Sequence, residues 1–458
     1  MTVGSPRVPS RRHFELGLGA CALAIEACLL AILFLERPAS YVPEFVSYYL
    51  LLSVPYVTAC WLVTSGSMPA SRRAVRWIWI AALLFRVTVV PLDPSLSEDT
   101  ARYRWQGMVQ DAGGDPYIAR PEDARWDGLR DSTWPRIAGK DKTSPYGPVL
   151  ELVNLQYYRL VRSWEPDPWQ QVWLFKLPFA AADLAVGLGL MALLSAVGRP
   201  ATWALVYLWS PLAVAEFWIE GHNDALALAF AIAALALAAR KQPRWALVMV
   251  AVAALCKVWP IILLPFLALA REGGRWRFEW KGLLACVPVV LLLCLPYWGG
   301  IGSVWHVWDG FASGWRNNDS LFAGLLLLSQ GNTAIAARSA AVALVAAVVV
   351  FRIAPMPRLA PELAGICALL LLSANCFPWY LTWMLPLLAV HPYPPLLLWT
   401  ALVPLAYHVV PAYEATGSWQ YDRTLVSIEY APVLTWLGIL AAARIWRWFD
   451  PTRTREAR

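Results

Sequence analysis

The most reactive stretch of the chain is Ser97-Glu98-Asp99-Thr100-Ala101-Arg102-Tyr103-Arg104-Trp105. It sets two carboxylates beside a cation three residues on and an aromatic pair. A carboxylate so placed can take a proton from a hydroxyl, while cations or hydrogen-bond donors stabilise a departing phosphate. If Ser97 is the N-cap, Glu98 and Asp99 sit in the first helical turn, where the helix dipole favours their ionised forms; capping alone would also account for them. Adjacent in sequence, they point in different directions on a helix, unlike the pair about 5 Å apart that a retaining glycosidase uses. A single base with back-side attack would invert the reacting centre.

Three other places carry chemistry. Gly221-His222-Asn223-Asp224 lies between two apolar segments; it reads either as a helix start capped by Asn223 or Asp224 or as a polar pocket lining. One His and one Asp do not make a metal site. Glu98, Asp99 and Asp224 could combine around a divalent ion, although nothing in their spacing requires it, and no cofactor is required. Lys257, inside an apolar segment, needs an anionic partner, either a structural carboxylate or a lipid phosphate. His306, in Trp305-His306-Val307-Trp308, either approaches a phosphate or serves an interfacial role. The tryptophans at 298, 305, 308, 315, 379 and 383 suit interfacial anchoring, with Trp379 the choice for stacking on a sugar.

The elements that must hold these residues are membrane helices. Hydrophobic residues make up 59% of the 458 and charged ones 15%, against roughly 45–50% and about 25% in an ordinary soluble domain. The expected fold is an all-α polytopic bundle of about 13–14 transmembrane helices. They centre on 16–35, 45–65, 74–92, 171–197, 201–218, 222–239, 245–270, 281–297, 334–352, 361–374, 377–390, 394–411 and 427–447, with 245–270 a hairpin of two short helices broken at Lys257 and Pro260. Glu26, inside the first helix, needs a polar partner in the bundle. The chain divides into three N-terminal helices (1–92), a polar loop carrying the reactive stretch (93–168), the remaining bundle (169–448) and a basic tail (449–458). Within the loop, 98–111 and 147–163 show helical apolar spacing, through Trp105, Met108 and Val109 and through Leu150, Val153, Tyr157 and Leu160, as amphipathic helices on the membrane surface would.

Basic clusters at Arg7, Arg11 and Arg12; Arg72, Arg73 and Arg76; Arg240, Lys241 and Arg244; and Arg271, Arg275, Arg277 and Lys281 fall on one side, as does the C-terminal set from Arg444 to Arg458. The positive-inside rule makes that side and both termini cytoplasmic. Loops 93–168, 298–320, 375–377 and 412–426 then share the extracytoplasmic face. The net charge of +7 is explained by these clusters rather than by nucleic-acid binding. The eight cysteines, among them Cys21, Cys28, Cys256, Cys286 and Cys294, lie in apolar segments and show neither a disulfide framework nor zinc spacing.

Ser97 to Gly107 followed by Asp115-Pro116-Tyr117 resembles the first-loop signature of bacterial GT-C-type glycosyltransferases similar to the polyprenyl-phosphate-mannose-dependent mannosyltransferases: paired acids, Arg-Tyr, Trp, Gly, then an Asn-Pro-Tyr-like turn. Gln106 stands where an acid is expected. Tyr146-Gly147-Pro148 resembles the family's Tyr-Pro-Pro element with Gly for the first proline. Trp209-Ser210-Pro211 with Glu220-Gly221-His222-Asn223-Asp224, Cys256-Lys257-Val258-Trp259-Pro260, and Pro378-Trp379-Tyr380 are similar to later family elements, so the resemblance spans roughly 74–390.

The resemblance implies an inverting transfer of a sugar, mannose above others, from a polyprenyl-phosphate donor to an extracytoplasmic glycolipid or glycan. Asp99 would be the base and Glu98 the second choice. Arg102, Tyr103, Tyr146, His222, Asn223, Asp224, Lys257, His306 and Trp379 would contact the donor phosphate or sugar. Arg104 would be a further contact or a solvated basic face. A secondary transporter or flippase working through Glu26, Asp183 and Glu216 is the alternative, and a catalytically idle binding or assembly subunit is the third.

Overall fold

The computed structural model describes residues 11–65, 71–272, 275–313 and 315–449. Arg7 and the tail 449–458, apart from Phe449, lie outside the described residues. The fold is an all-α membrane bundle; among the described residues its sheet is a two-stranded antiparallel hairpin, Leu269–Glu272 with Arg275–Phe278.

Among the described residues seven helices are long and apolar enough to cross a membrane, and eight if the bent pair Ala201–Leu208 and Pro211–Ile219, 56° apart, forms one span. Shorter apolar helices accompany them at Asp224–Ala239, Pro243–Ala254, Trp259–Ala268, Ala360–Leu372 and Pro378–Val390. Most of the apolar windows are where hydropathy puts them, but the expected span 74–92 corresponds to the arginine-bearing helix Arg72–Val89, which is not among these spans, and several others are not uninterrupted helices. Proline lacks an N–H and clashes with the preceding turn, so it starts helices and breaks them. Pro211, Pro243, Pro260, Pro378, Pro386, Pro394 and Pro404 each sit in the first two positions of a short segment, and those of Pro260, Pro378 and Pro404 are tight 3-10 turns.

The 245–270 segment divides as its sequence implies. Pro243–Ala254 ends, Lys257 lies in the break, and Trp259–Leu263 and Leu264–Ala268 follow. The Ala-rich helix Asp224–Ala239 packs between Leu177–Ala196 and Pro243–Ala254, and small residues let the backbones approach, as where Gly189 meets Ile232. Deep in the bundle the Arg86 guanidinium sits 2.7 Å from Asp183, which also accepts from Tyr207 and Trp218. Thr88 donates to Glu26, and Tyr407 donates to Glu216. These intramembrane carboxylates are therefore all engaged.

The polar loop folds around its two helices, Asp99–Asp111 and Pro148–Arg162. The first begins at Asp99 and not at Glu98, and Ser97 Oγ accepts from the Asp99 N–H. It is buried on every side from Thr100 to Gln110, because Trp105, Met108 and Val109 join Ala119, Trp126, Ile137 and Val172 in a core of the loop's own. Amphipathic spacing thus understates its enclosure. On the second helix Leu150 is buried, whereas Leu160 is exposed and departs from its expected place on the inner face.

Arg104 is no solvated face: it is 3% exposed and bonded to Asp131, Gln171 and Thr133. Among the contacts that dock the loop on the bundle, two are close approaches of backbone or ring. Tyr117 and Ser303 join it to the 297–304 region, and Gly147 and Val149 donate their N–H groups to the carbonyls of Cys256 and Leu255.

At Gly147 an added Cβ would lie 2.1 Å from Leu255 O, a backbone atom that cannot swing aside. Proline at this position would also remove the N–H that bonds Cys256. Gly147→Ala is expected to destabilise by about 1–3 kcal/mol, as overpacking does, and to lower the thermal midpoint of the detergent-solubilised protein. Gly128→Ala, with open space around it, is expected to leave the midpoint unchanged.

Candidate functional site

The first loop, the 220–224 turn, the break at Lys257 and the 377–383 segment meet at one place. The turn is produced by an irregular helix end. Ala215–Ile219 is a π-helix, Gly221 adopts φ +70°, and the His222 N–H donates to Glu216 O at 2.8 Å. A Cβ at Gly221 would be 2.8–3.0 Å from Lys176 atoms, so glycine is demanded both by the backbone angle and by the close approach. Asp224 then starts the next helix.

Three of the expected residues are brought together around the imidazole of His222, which is fully buried. Its Nε2 lies 3.2 Å from Ser97 Oγ and 3.9 Å from Asp99 Oδ2, and its ring stacks on Trp379 at 4.0 Å. Its Nδ1 is 2.9 Å from Glu216 Oε2, a close charge contact that is out of line for a hydrogen bond. Burial lowers the His222 pKa, but Glu216, Asp99 and Glu220 together outweigh it and raise the value above 6.5. Asp99 accepts from Tyr103 at 3.1 Å and keeps 22% of its side chain exposed, so this carboxylate is held and yet accessible. Tyr103 packs edge-on against Tyr146 at 5.4 Å. Tyr146 is placed by the Asp115-Pro116-Tyr117 turn, since Asp115 accepts from the Tyr117 N–H and Tyr117 donates to Tyr146 O.

The second group adjoins it. Lys257 Nζ donates to Asp224 Oδ2 at 2.6 Å and to Asn223 Oδ1 at 3.2 Å, and it lies over the Tyr380 ring at 5.2 Å. Trp383 donates to the other Asp224 oxygen at 2.6 Å. Lys257 therefore has a structural carboxylate partner, and 14% of its side chain remains exposed. The Asn223 amide nitrogen is buried without a partner. Trp379 is 8% exposed and stacks on Phe377 as well as on His222. It therefore orients the imidazole and offers little free surface for a sugar to stack on.

Other expected residues lie apart. Glu98 points away from Asp99, toward Tyr413 and Lys140. Burial raises its pKa against the lowering effect of Lys140 and of the Tyr413 hydrogen bond. Arg102 is buried and spends its guanidinium on the carbonyls of Ala138, Gly139 and Lys142, which clamps that loop; desolvation brings its pKa down to about 10. His306 is exposed on the Val304–Ser313 helix. Asp224 is occupied by Lys257 and Trp383, and among the described residues no group of three or more His, Cys, Asp or Glu is arranged to hold a metal ion.

Two acids enter the site that its motifs alone do not single out as members. Glu216 faces His222 from the π-helix, a position that a membrane-carboxylate reading assigns to transport. Glu220 accepts from the Ser97 N–H at 3.0 Å, and its other oxygen is buried without a partner. Burial, partly offset by His222, brings its pKa up to about 7. The sequence signals are an acid beside the Gly-His pair for Glu220 and an acid within an apolar segment for Glu216.

These spans and the polar site gathered at their ends define a multi-pass membrane protein. The chain belongs to the alpha-(1->6)-mannopyranosyltransferase family, whose N-terminal domain model matches residues 16–272. That match takes in Asp99, Tyr146, His222 and Lys257. No curated protein and no solved structure matches the chain. It is accordingly a mannosyl-transferring glycosyltransferase, with a sugar donor and an acceptor as substrates.

The raised His222 value carries a sign. A group whose folded pKa lies above the unfolded one stabilises the fold fully below the unfolded value, and that stabilisation is lost as pH rises through the folded value. Glu216→Gln removes a carboxylate that raises it. The wild-type advantage in thermal midpoint over Glu216→Gln is therefore expected to be larger at about pH 6 than at about pH 8.5. A gap that is flat or widens with pH would contradict the assignment.

Proposed function

We propose that this protein transfers mannose from a polyprenyl-phosphate donor to a glycan or glycolipid, forming an α-1,6 linkage with inversion at the anomeric carbon, on the extracytoplasmic face of a cell membrane. The observation that carries the reading is Asp99: an accessible carboxylate, held by Tyr103, at the edge of a buried cluster containing His222 and Lys257. The acceptor hydroxyl loses its proton to Asp99, its oxygen attacks the anomeric carbon, and the bond from that carbon to the phosphate oxygen breaks. The electron pair leaves with the polyprenyl phosphate. Lys257 offsets its charge, together with His222, whose charged form Glu216, Asp99 and Glu220 favour, and the free Asn223 amide is available to donate to an oxygen of the donor.

Inversion is supported by the divergence of the two adjacent carboxylates. The neighbouring acid, Glu98, is turned toward Tyr413 rather than paired with Asp99. Arg102 acts as a positioning residue through the 138–142 carbonyls, and Tyr146 supports Tyr103. Support for the sidedness comes from the basic clusters, whose distribution favours cytoplasmic termini under the positive-inside rule. The absence of a nucleotide-phosphate loop motif suits a lipid-linked donor.

The test compares purified wild type with Asp99→Asn in nanodiscs, reading release of polyprenyl phosphate from a radiolabelled polyprenyl-phosphate-mannose donor with mannoside acceptors. Loss of a general base lowers turnover by about 10²–10⁴-fold, and donor binding is expected to persist. Wild-type turnover in the variant would remove Asp99 as the base.

A further inference from the structure

An open pocket of about 500 Å³ is lined by Arg37, Glu98, Pro135, Lys140, Tyr413, Glu414 and Gly417. Four stretches of chain build it. Arg37 follows the first span and is paired with Glu414 at 2.5 Å. Lys140 belongs to the loop that Arg102 clamps, and its Nζ donates to Pro135 O. Arg136 of the same loop is tied to Asp93 at 3.0 Å, and Asp93 also lies 3.8 Å from Arg37. The walls are therefore cross-braced by ion pairs. Glu98, by contrast, accepts one long hydrogen bond, 3.3 Å from Tyr413.

The volume is in the range that takes a small ligand. Two cations and two carboxylates balance in charge, which disfavours a phosphate or other anion and favours a neutral molecule rich in hydroxyls. Carboxylates accept from vicinal hydroxyls, ammonium and guanidinium groups donate to them, and a tyrosine supplies an apolar edge. Glu98 immediately precedes Asp99 at the start of the Asp99–Asp111 helix, so the pocket that Glu98 lines adjoins the residue carrying the accessible carboxylate.

Resting on the reading above, we infer that this pocket is the acceptor subsite, that it takes a neutral terminal mannoside, and that Glu98 and Lys140 select the acceptor while Asp99 performs the proton transfer.

The experiment measures binding of methyl-capped α-(1→6)-mannobiose to the full-length protein in nanodiscs without donor, by ligand-observed NMR, for wild type, Glu98→Gln, Lys140→Ala and Tyr413→Phe. Loss of one charge-assisted hydrogen bond should weaken binding about tenfold in each of the first two. In turnover assays the acceptor KM is expected to rise by a similar factor while donor KM holds. Binding that is absent in wild type, or unchanged in both charge variants, overturns the subsite. If no mannosyl donor is turned over but binding still depends on Glu98 and Lys140, the donor reading falls and the subsite stands.

Discussion

A cation buried among membrane helices must have a partner, and in this protein the contact of Lys257 with Asp224 meets that requirement and fixes the site. Removing either member would strand a buried charge, at a cost of about 3–5 kcal/mol. The pair joins the break in the 243–268 segment to the turn before Asp224–Ala239. Trp383 approaches the same carboxylate from a third segment, and the carbonyls of Leu255 and Cys256 beside Lys257 receive the first loop through Gly147 and Val149. His222, two residues before Asp224, is thereby set against Ser97 and Asp99. One ion pair thus relates four segments that are far apart in sequence.

Around this fixed point the two adjacent acids of the first loop have separate surroundings. Asp99 lies beside a tyrosine hydroxyl and a histidine whose charge is favoured, while Glu98 faces Tyr413 and Lys140. Arg102 is the hinge between the two environments. Its three hydrogen bonds hold the loop that carries Lys140, and its own helix begins at Asp99. The same short stretch therefore orders both the Asp99 carboxylate and the pocket lined by Glu98.

Much of this was legible in the sequence. Hydropathy located the apolar segments, the break at Lys257 and Pro260 was marked by a charge and a proline, and the spacing of Trp105, Met108 and Val109 gave the first-loop helix. The gathering of Asp99, Tyr103, Tyr146, His222 and Lys257 was approached through motifs lying far apart in the chain. Other features depend on distances that one sequence does not encode. The prolines shorten spans that a hydropathy window reads as continuous. Arg102 and Arg104 look alike as surface cations, yet both are buried, one on carbonyls and the other on Asp131 and Gln171. Glu216 and Glu220 join the site because a π-helix and a left-handed glycine turn them toward His222 and Ser97, and neither conformation has a reliable signature.

The central claim is that one carboxylate acts alone, so that each transfer inverts the anomeric carbon. With an α-linked product, the donor must then be β-linked. The most direct measurement supplies the purified enzyme with α- and β-linked polyprenyl-phosphate-mannose separately and assigns the product anomer by NMR. The account predicts that only the β-linked donor is consumed and that the product is α-linked. Consumption of the α-linked donor to give an α-linked product would mean retention, and would contradict it.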